Sequence, residues 1–255
     1  MRRTSLFLAA VLAALGLFAA CGDDDASAPS PAQSATTEAA AGASVNPAST
    51  ATRAPSPGEP TTDELVKALR IDIPRELVDG ASYGKSDAKA TLQLFEDFQC
   101  PFCLRFTIAF ESVFLEYAKG GKLRLEFKHF TILGPESVRA AVAAACAAKQ
   151  SVFWPLHERL FTEQVRAGQL TKEQLNVGRF SDANLAQYAQ DAGADKTAFV
   201  ACFADSATLA LVQDDVRAAT SLGIRGTPGL VLNGKVVPTP TDLTALRRLL
   251  DDATK

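Results

Sequence analysis

The chain has 255 residues, 47% hydrophobic and 22% charged, a globular composition with enough apolar material for one good core. Its net charge of -3 argues against nucleic acid as a partner, because phosphate binding wants a basic face. The sequence holds no phosphate-cradling glycine loop and no internal repeat.

Arg2 and Arg3 precede an apolar run over positions 6–20, too short and too abruptly ended for a membrane span. Residues 1–20 read as a signal peptide. Ala19-Ala20-Cys21 is similar to the box of bacterial lipoproteins, in which the cysteine is acylated and becomes the first residue; Phe18 stands where leucine is usual. The alternative is a soluble exported protein with an unmodified Cys21. Positions 21–62 are rich in Ala, Ser, Thr and Pro after Asp23-Asp24-Asp25, with almost no large apolar side chain. Such a stretch cannot offset its ordering entropy and is expected to be a disordered tether. It would hold a folded domain, residues 63–255, off a membrane surface. Export also places the chain where disulfides persist.

The folded part begins with the helix start Thr62-Asp63-Glu64-Leu65, and Pro74 breaks that run. Tyr83-Gly84-Lys85-Ser86-Asp87 is turn-rich. Positions 91–98 form an apolar, strand-like run that leads into Cys100-Pro101-Phe102-Cys103. A helical pattern follows through Arg105, Ile108, Phe110, Val113, Phe114 and Tyr117, and Gly120-Gly121 turns the chain. Positions 122–127 alternate polar and apolar, a strand signature. A long helical region spans about 136–222. After Gly226-Thr227-Pro228-Gly229, Leu230-Val231-Leu232 and Lys235-Val236-Val237 flank Asn233-Gly234, the strongest short-range hairpin signal. A last helix is expected over positions 242–251. The fold class is α/β, a sheet with a large helical insertion in its middle.

The two close cysteines carry the chemistry. At a helix start, the first sulfur faces unpaired N–H groups and the positive end of the dipole, which favours the attacking thiolate. A strand–CxxC–helix unit therefore reads as a thiol–disulfide exchange site. Half of a zinc site is one alternative, but the remaining cysteines are isolated, and His129 and His157 stand far apart in sequence. A purely structural disulfide is another.

Three stretches together resemble the DsbA-like branch of the thioredoxin superfamily, over residues 83–250. They are Phe95-Glu96-Asp97-Phe98-Gln99-Cys100-Pro101-Phe102-Cys103, the insertion residues Ala145-Cys146-Ala147, Phe153-Trp154, His157 and Leu160-Phe161, and Gly223-Ile224-Arg225-Gly226-Thr227-Pro228. The resemblance implies a thioredoxin-like fold with a helical insertion between the CxxC half and the cis-proline half. It implies catalysis by Cys100 and Cys103, with Pro101 and Phe102 tuning the redox potential. It also implies a cis Pro228 against the CxxC and Thr227 backbone groups that pair with substrate. Trp154 and His157 are expected to pack the insertion, and His129 to be structural. Thioredoxin-like sites often carry a buried acid six residues before the first cysteine, where this chain has Leu94, so Glu96 or Asp97 is left as the candidate carboxylate.

Of five cysteines, Cys21 is assigned to lipid and Cys100 and Cys103 to the redox pair. Cys146 and Cys202 fall on apolar helix faces. Two buried thiols would fit, but an oxidising compartment and similar family members favour a structural disulfide.

The function implied is an exported, membrane-anchored thiol:disulfide oxidoreductase. It would be a dithiol oxidase acting on exported proteins with cysteine thiols or disulfides, without metal or organic cofactor. A membrane quinone-linked reoxidase is the implied partner. The rivals are a reductase of the same fold and a non-catalytic lipoprotein binding module.

Overall fold

The computed structural model describes residues 58–255. The expected signal peptide, Cys21 and the expected tether up to position 57 lie outside the described residues.

Helix α1 (Thr62–Leu69) starts inside the end of the expected tether. Thr61 caps it, accepting from the Glu64 N–H while the Glu64 carboxylate accepts from the Thr61 N–H, a reciprocal capping box. Strands β1 (Val78–Asp79) and β2 (Ser82–Tyr83) form a short hairpin where the sequence read only as turn. Two-residue strands leave no periodicity to read, and tertiary pairing with the later strand Leu123–His129 creates them. Gly84 follows at φ +105°, and a Cβ there would collide with the backbone of Leu123, so only glycine lets this hairpin approach.

Strand β3 (Ala90–Glu96) is central. It runs parallel to β4 (Leu123–His129) and antiparallel to β5 (Gly229–Leu232), which pairs in turn with β6 (Lys235–Val237). The six-stranded order is β1-β2-β4-β3-β5-β6. The parallel β3–β4 crossover is made by α2 (Pro101–Lys119). Asn233 at φ 49° and Gly234 at φ 77° turn the β5–β6 hairpin, and the Asn233 side chain accepts from the Thr91 N–H.

The insertion comprises α3 (Pro135–Lys149), α4 (Phe153–Arg166), α5 (Asp182–Asp191), α6 (Lys196–Phe203) and α7 (Ser206–Ser221). Helix α8 (Leu243–Ala253) closes the fold and buries Leu246 and Leu250. The main core joins both halves. Leu92, Leu94, Leu104, Phe114 and Leu123 from the sheet and α2 share it with Phe153, Leu156, Leu160 and Phe161 from α4. Burying one such side chain contributes about 1.5–3 kcal/mol. None of the described helices is long and apolar enough to cross a membrane.

Candidate active site

Strand β3 stops at Glu96, two residues earlier than its apolar run suggests. The Asp97 carboxylate accepts from the Gln99 N–H at 2.8 Å, and this local bond turns the chain out of the sheet. The turn ends at Cys100, the N-cap of α2, and Pro101 occupies the first helical turn, where its missing N–H costs nothing.

The two cysteines are free thiols in contrasting settings. The Cys103 N–H donates to Cys100 Sγ at 3.4 Å, and Cys100 Sγ lies 3.4 Å from the Thr227 carbonyl oxygen. The Cys103 thiol, the Thr227 side chain and the N–H groups of the helix start pull the Cys100 pKa from 9.0 to about 7, against its own desolvation. Burial, the bond to Cys100 and the Glu96 carboxyl push Cys103 well above its ordinary range. Cys100 is only 4% exposed and Cys103 is fully buried, so the attacking sulfur is far less open than its place at a helix end suggests. Phe102, by contrast, is 62% exposed, with the Arg105 guanidinium 5.5 Å from its ring centre.

The two candidate carboxylates have different roles. Asp97 is saturated: its oxygens accept from the Ser137 hydroxyl at 2.6 Å and from the N–H groups of Gln99, Ile132 and Leu133. It fastens the active-site turn to the start of α3. Glu96 is buried, and neither of its oxygens has a hydrogen-bond partner among the described residues. Desolvation, then the charges of Glu111 and Cys100, raise its pKa well above normal. It is the carboxyl electrostatically coupled to both cysteines.

Glu96 belongs to a buried polar group behind the site. His157 Nε2 lies 3.7 Å from its carboxylate, a distance that would suit an ion pair. Burial holds both neutral instead, driving His157 and His129 to about 3. His157 sits edge-on among Phe98, Phe127 and Phe161, a packing role. Trp154 packs against Tyr83 and Phe153. The Tyr83 hydroxyl donates to Glu111 at 2.8 Å, and desolvation raises Glu111 to about 7. Glu111 was invisible in the sequence, where a lone acid on a long helix reads as a solvated face.

Three glutamines also escaped the sequence reading. Gln164 donates to the Phe98 carbonyl, Gln169 donates to the Gln99 carbonyl at 3.0 Å, and the Gln99 amide donates to Ser137 Oγ at 2.9 Å. Arg179 donates to the Gln164 and Gln169 side-chain oxygens. The insertion thus grips the carbonyls of the two residues that precede Cys100. Amides spaced this far apart in sequence give no motif.

On the other side of Cys100 the Thr227–Pro228 bond is cis. Thr227 and Pro228 form one wall of a groove of about 560 Å³, and Phe102, Arg105, Phe106 and Phe110 of α2 form the other. Thr239, Pro240 and Thr241 close its end. Cys146 of α3 and Cys202 of α6 are joined by a disulfide within the insertion. Cys146 is buried but Cys202 is only half-buried, less inward than its helical spacing implied.

The comparisons agree with this architecture. The chain is 34% identical over 200 residues to a protein named Na(+)/H(+) antiporter NhaA 1 of Mycolicibacterium gilvum, covering 77% of this chain but 29% of that protein. The chain therefore spans less than a third of that relative. Among solved structures, oxidised BdbD from Bacillus subtilis superposes with a TM-score of 0.59 at 22% identity, over 69% of this chain and 93% of BdbD. Reduced DsbA from Mycobacterium tuberculosis gives a TM-score of 0.53 at 21% identity, over 69% of this chain and 98% of the other. These likenesses show the fold of thiol–disulfide oxidoreductases. Residues 76–252, which hold the CxxC, the insertion and the cis-proline loop, match the family described as Thioredoxin, and the chain belongs to that family.

Proposed function

We propose that the protein is a thiol:disulfide oxidoreductase working as a dithiol oxidase outside the cytoplasm, tethered to a membrane through Cys21. The observation that carries the chemistry is the asymmetry of the pair: Cys100 drawn down to about 7, Cys103 buried and pushed up. In the oxidised enzyme a substrate thiolate attacks Cys100 Sγ. The Cys100–Cys103 bond breaks, a substrate–Cys100 disulfide forms, and Cys103 leaves as a thiolate that takes up a proton. A second substrate thiolate then attacks the substrate sulfur of that mixed disulfide and expels Cys100 as a thiolate. Two substrate thiols are oxidised to one disulfide and the enzyme disulfide is reduced to the dithiol. A quinone-linked membrane oxidoreductase is the class of oxidant that would restore the enzyme.

Stabilising the Cys100 thiolate stabilises the reduced enzyme and so makes its disulfide the better oxidant. Export is supported by the Cys146–Cys202 bridge, which reducing compartments do not preserve. A reductase of the same site is the second reading. It is favoured by the Cys100 value of about 7, which matches that of the reducing thioredoxins, against about 3.5 in the most oxidising relatives. Equilibration of Cys100/Cys103 with glutathione decides the direction. A potential at or above about -180 mV supports the oxidase; one near -270 mV overturns it in favour of the reductase.

A further inference from the structure

Resting on that reading, we propose that the groove beside Cys100 selects extended substrate segments with a carboxylate close to the reacting cysteine, and that Arg105, assisted by Arg225, reads that charge.

The groove walls are Phe102, Phe106, Ala109, Phe110, Gly226, Thr227, Pro228 and the residues 239–241, and Arg105 is the single charged residue among its lining. Arg124, Arg159, Arg166 and Arg247 each hold a carboxylate of this chain. Arg105 does not. Its Nη2 donates to the Leu170 carbonyl at 2.7 Å and its guanidinium stands 5.5 Å from the Phe102 ring centre. One donor is used to hold the group in place, and the rest of the fork stays free for a planar anion. Because the side chain is already positioned, an incoming carboxylate orders less of it.

Arg225 adds a second cation next to the opposite wall. It is exposed, forms no ion pair among the described residues, and directly precedes Gly226 in the groove wall. Two acids adjoin the groove lining in sequence, and both are committed elsewhere: Glu111 is buried and accepts from the Tyr83 hydroxyl, and Asp242 caps the last helix. The Asp242 oxygens accept from the Ala245 N–H at 2.9 Å and from the Thr241 hydroxyl at 3.1 Å, capping α8. The groove is thus cationic and apolar on a chain whose net charge is -3. Its occupant must reach Cys100 past Phe102 and Pro228 while bringing a negative charge to Arg105. An extended polypeptide with an acidic residue and an apolar residue near its cysteine meets both demands.

Bulk charge makes the opposite prediction, since a net negative protein favours a basic substrate, so the sign of the preference is diagnostic. Two dithiol peptides differing only in Glu or Lys beside the reactive cysteine are mixed with the oxidised full chain. Each second-order rate is divided by that peptide's rate with a small uncharged disulfide, which removes differences in intrinsic thiol reactivity. We expect the Glu peptide to be preferred about tenfold, the preference to fall toward unity in 0.5 M salt, and Arg105→Glu to invert it. Arg225→Glu should lower the preference without inverting it, and it serves as the second variant should Arg105→Glu fail to fold. Equal rates, a Lys preference in the unmodified protein, or a preference insensitive to salt and to both variants overturns the proposal while leaving the oxidoreductase reading intact. If neither peptide is oxidised, that reading falls and this proposal falls with it.

Discussion

Cys100 and Cys103 lie one helical turn apart, yet their pKa values shift in opposite directions: the Cys103 thiol, Thr227 and the N–H groups of the helix start lower that of Cys100, while burial above all raises that of Cys103. In the reduced protein iodoacetamide should modify Cys100 first, its rate rising through a midpoint near pH 7, and Cys103 should resist until unfolding. Equal rates at the two sulfurs would remove the assigned roles. Phe102 offers the neighbouring thiolate neither charge nor hydrogen bond, and it is exposed enough to be replaced without opening a cavity. Phe102→His should make the disulfide more oxidising: about 1.4 kcal/mol of added thiolate stabilisation corresponds to about 30 mV against glutathione. An unchanged potential would show that the helix end and Thr227 govern the site. Glu96→Gln removes a buried carboxyl coupled to both sulfurs, so the Cys103 pKa should fall in thiolate absorbance titrations. A Cys103 titration that does not move would assign its shift to desolvation and Cys100.

The active-site turn is held between elements rather than by its own residues. Asp97 bonds to the loop before α3, Gln164 of α4 and Gln169 beyond it take the carbonyls of Phe98 and Gln99, and the cis-proline loop meets Cys100 from the opposite side. Asp97→Ala would strip four hydrogen bonds from a buried site, leaving the Gln99 N–H and the Ser137 hydroxyl without that acceptor. At about 1–3 kcal/mol for each buried group left unsatisfied, denaturant unfolding should show a loss of roughly 3 kcal/mol or more. A loss below 1 kcal/mol would mean that the two glutamine bonds and the apolar contacts of Phe98 hold the turn without Asp97.

Across the whole molecule, buried titratable groups impose opposing pH dependences. Glu111 has its folded pKa raised from 4.5 to about 7, so the native state binds more protons, and stability falls as pH rises through that window. Glu96 extends the fall to higher pH. His129 and His157 have folded values near 3 against 6.5, so the unfolded state binds more protons, and stability falls as pH drops from 6.5 toward 3. In the oxidised protein, where Cys100 does not titrate, melting temperature should be highest between about pH 4.5 and 6.5. Glu111→Gln, which keeps an acceptor for Tyr83, should flatten the alkaline limb. His157→Phe should flatten the acid limb. Parallel curves for variant and parent would show that these groups do not titrate on unfolding.

What the chain alone determined is whatever chemistry writes into adjacent residues. Cys100-Pro101-Phe102-Cys103 after a β-rich run announced a dithiol at a helix start, Asn233-Gly234 announced the hairpin, and the long helical region over about 136–222 announced the insertion, found as α3 to α7. The three-part resemblance carried the family and the thioredoxin-like fold. Tertiary structure decided everything that depends on groups far apart in sequence. The β1–β2 hairpin exists only because β4 pairs with it. Glu96 and Asp97 are neighbours carrying the same carboxyl group, but the strand leaves one buried without a partner and the turn gives the other four donors. Glu111 meets Tyr83 across 28 residues, and the glutamines reach the turn across 66 and 70. Desolvation and hydrogen bonding set protonation, and both are properties of the packed interior, which no local pattern of residues encodes.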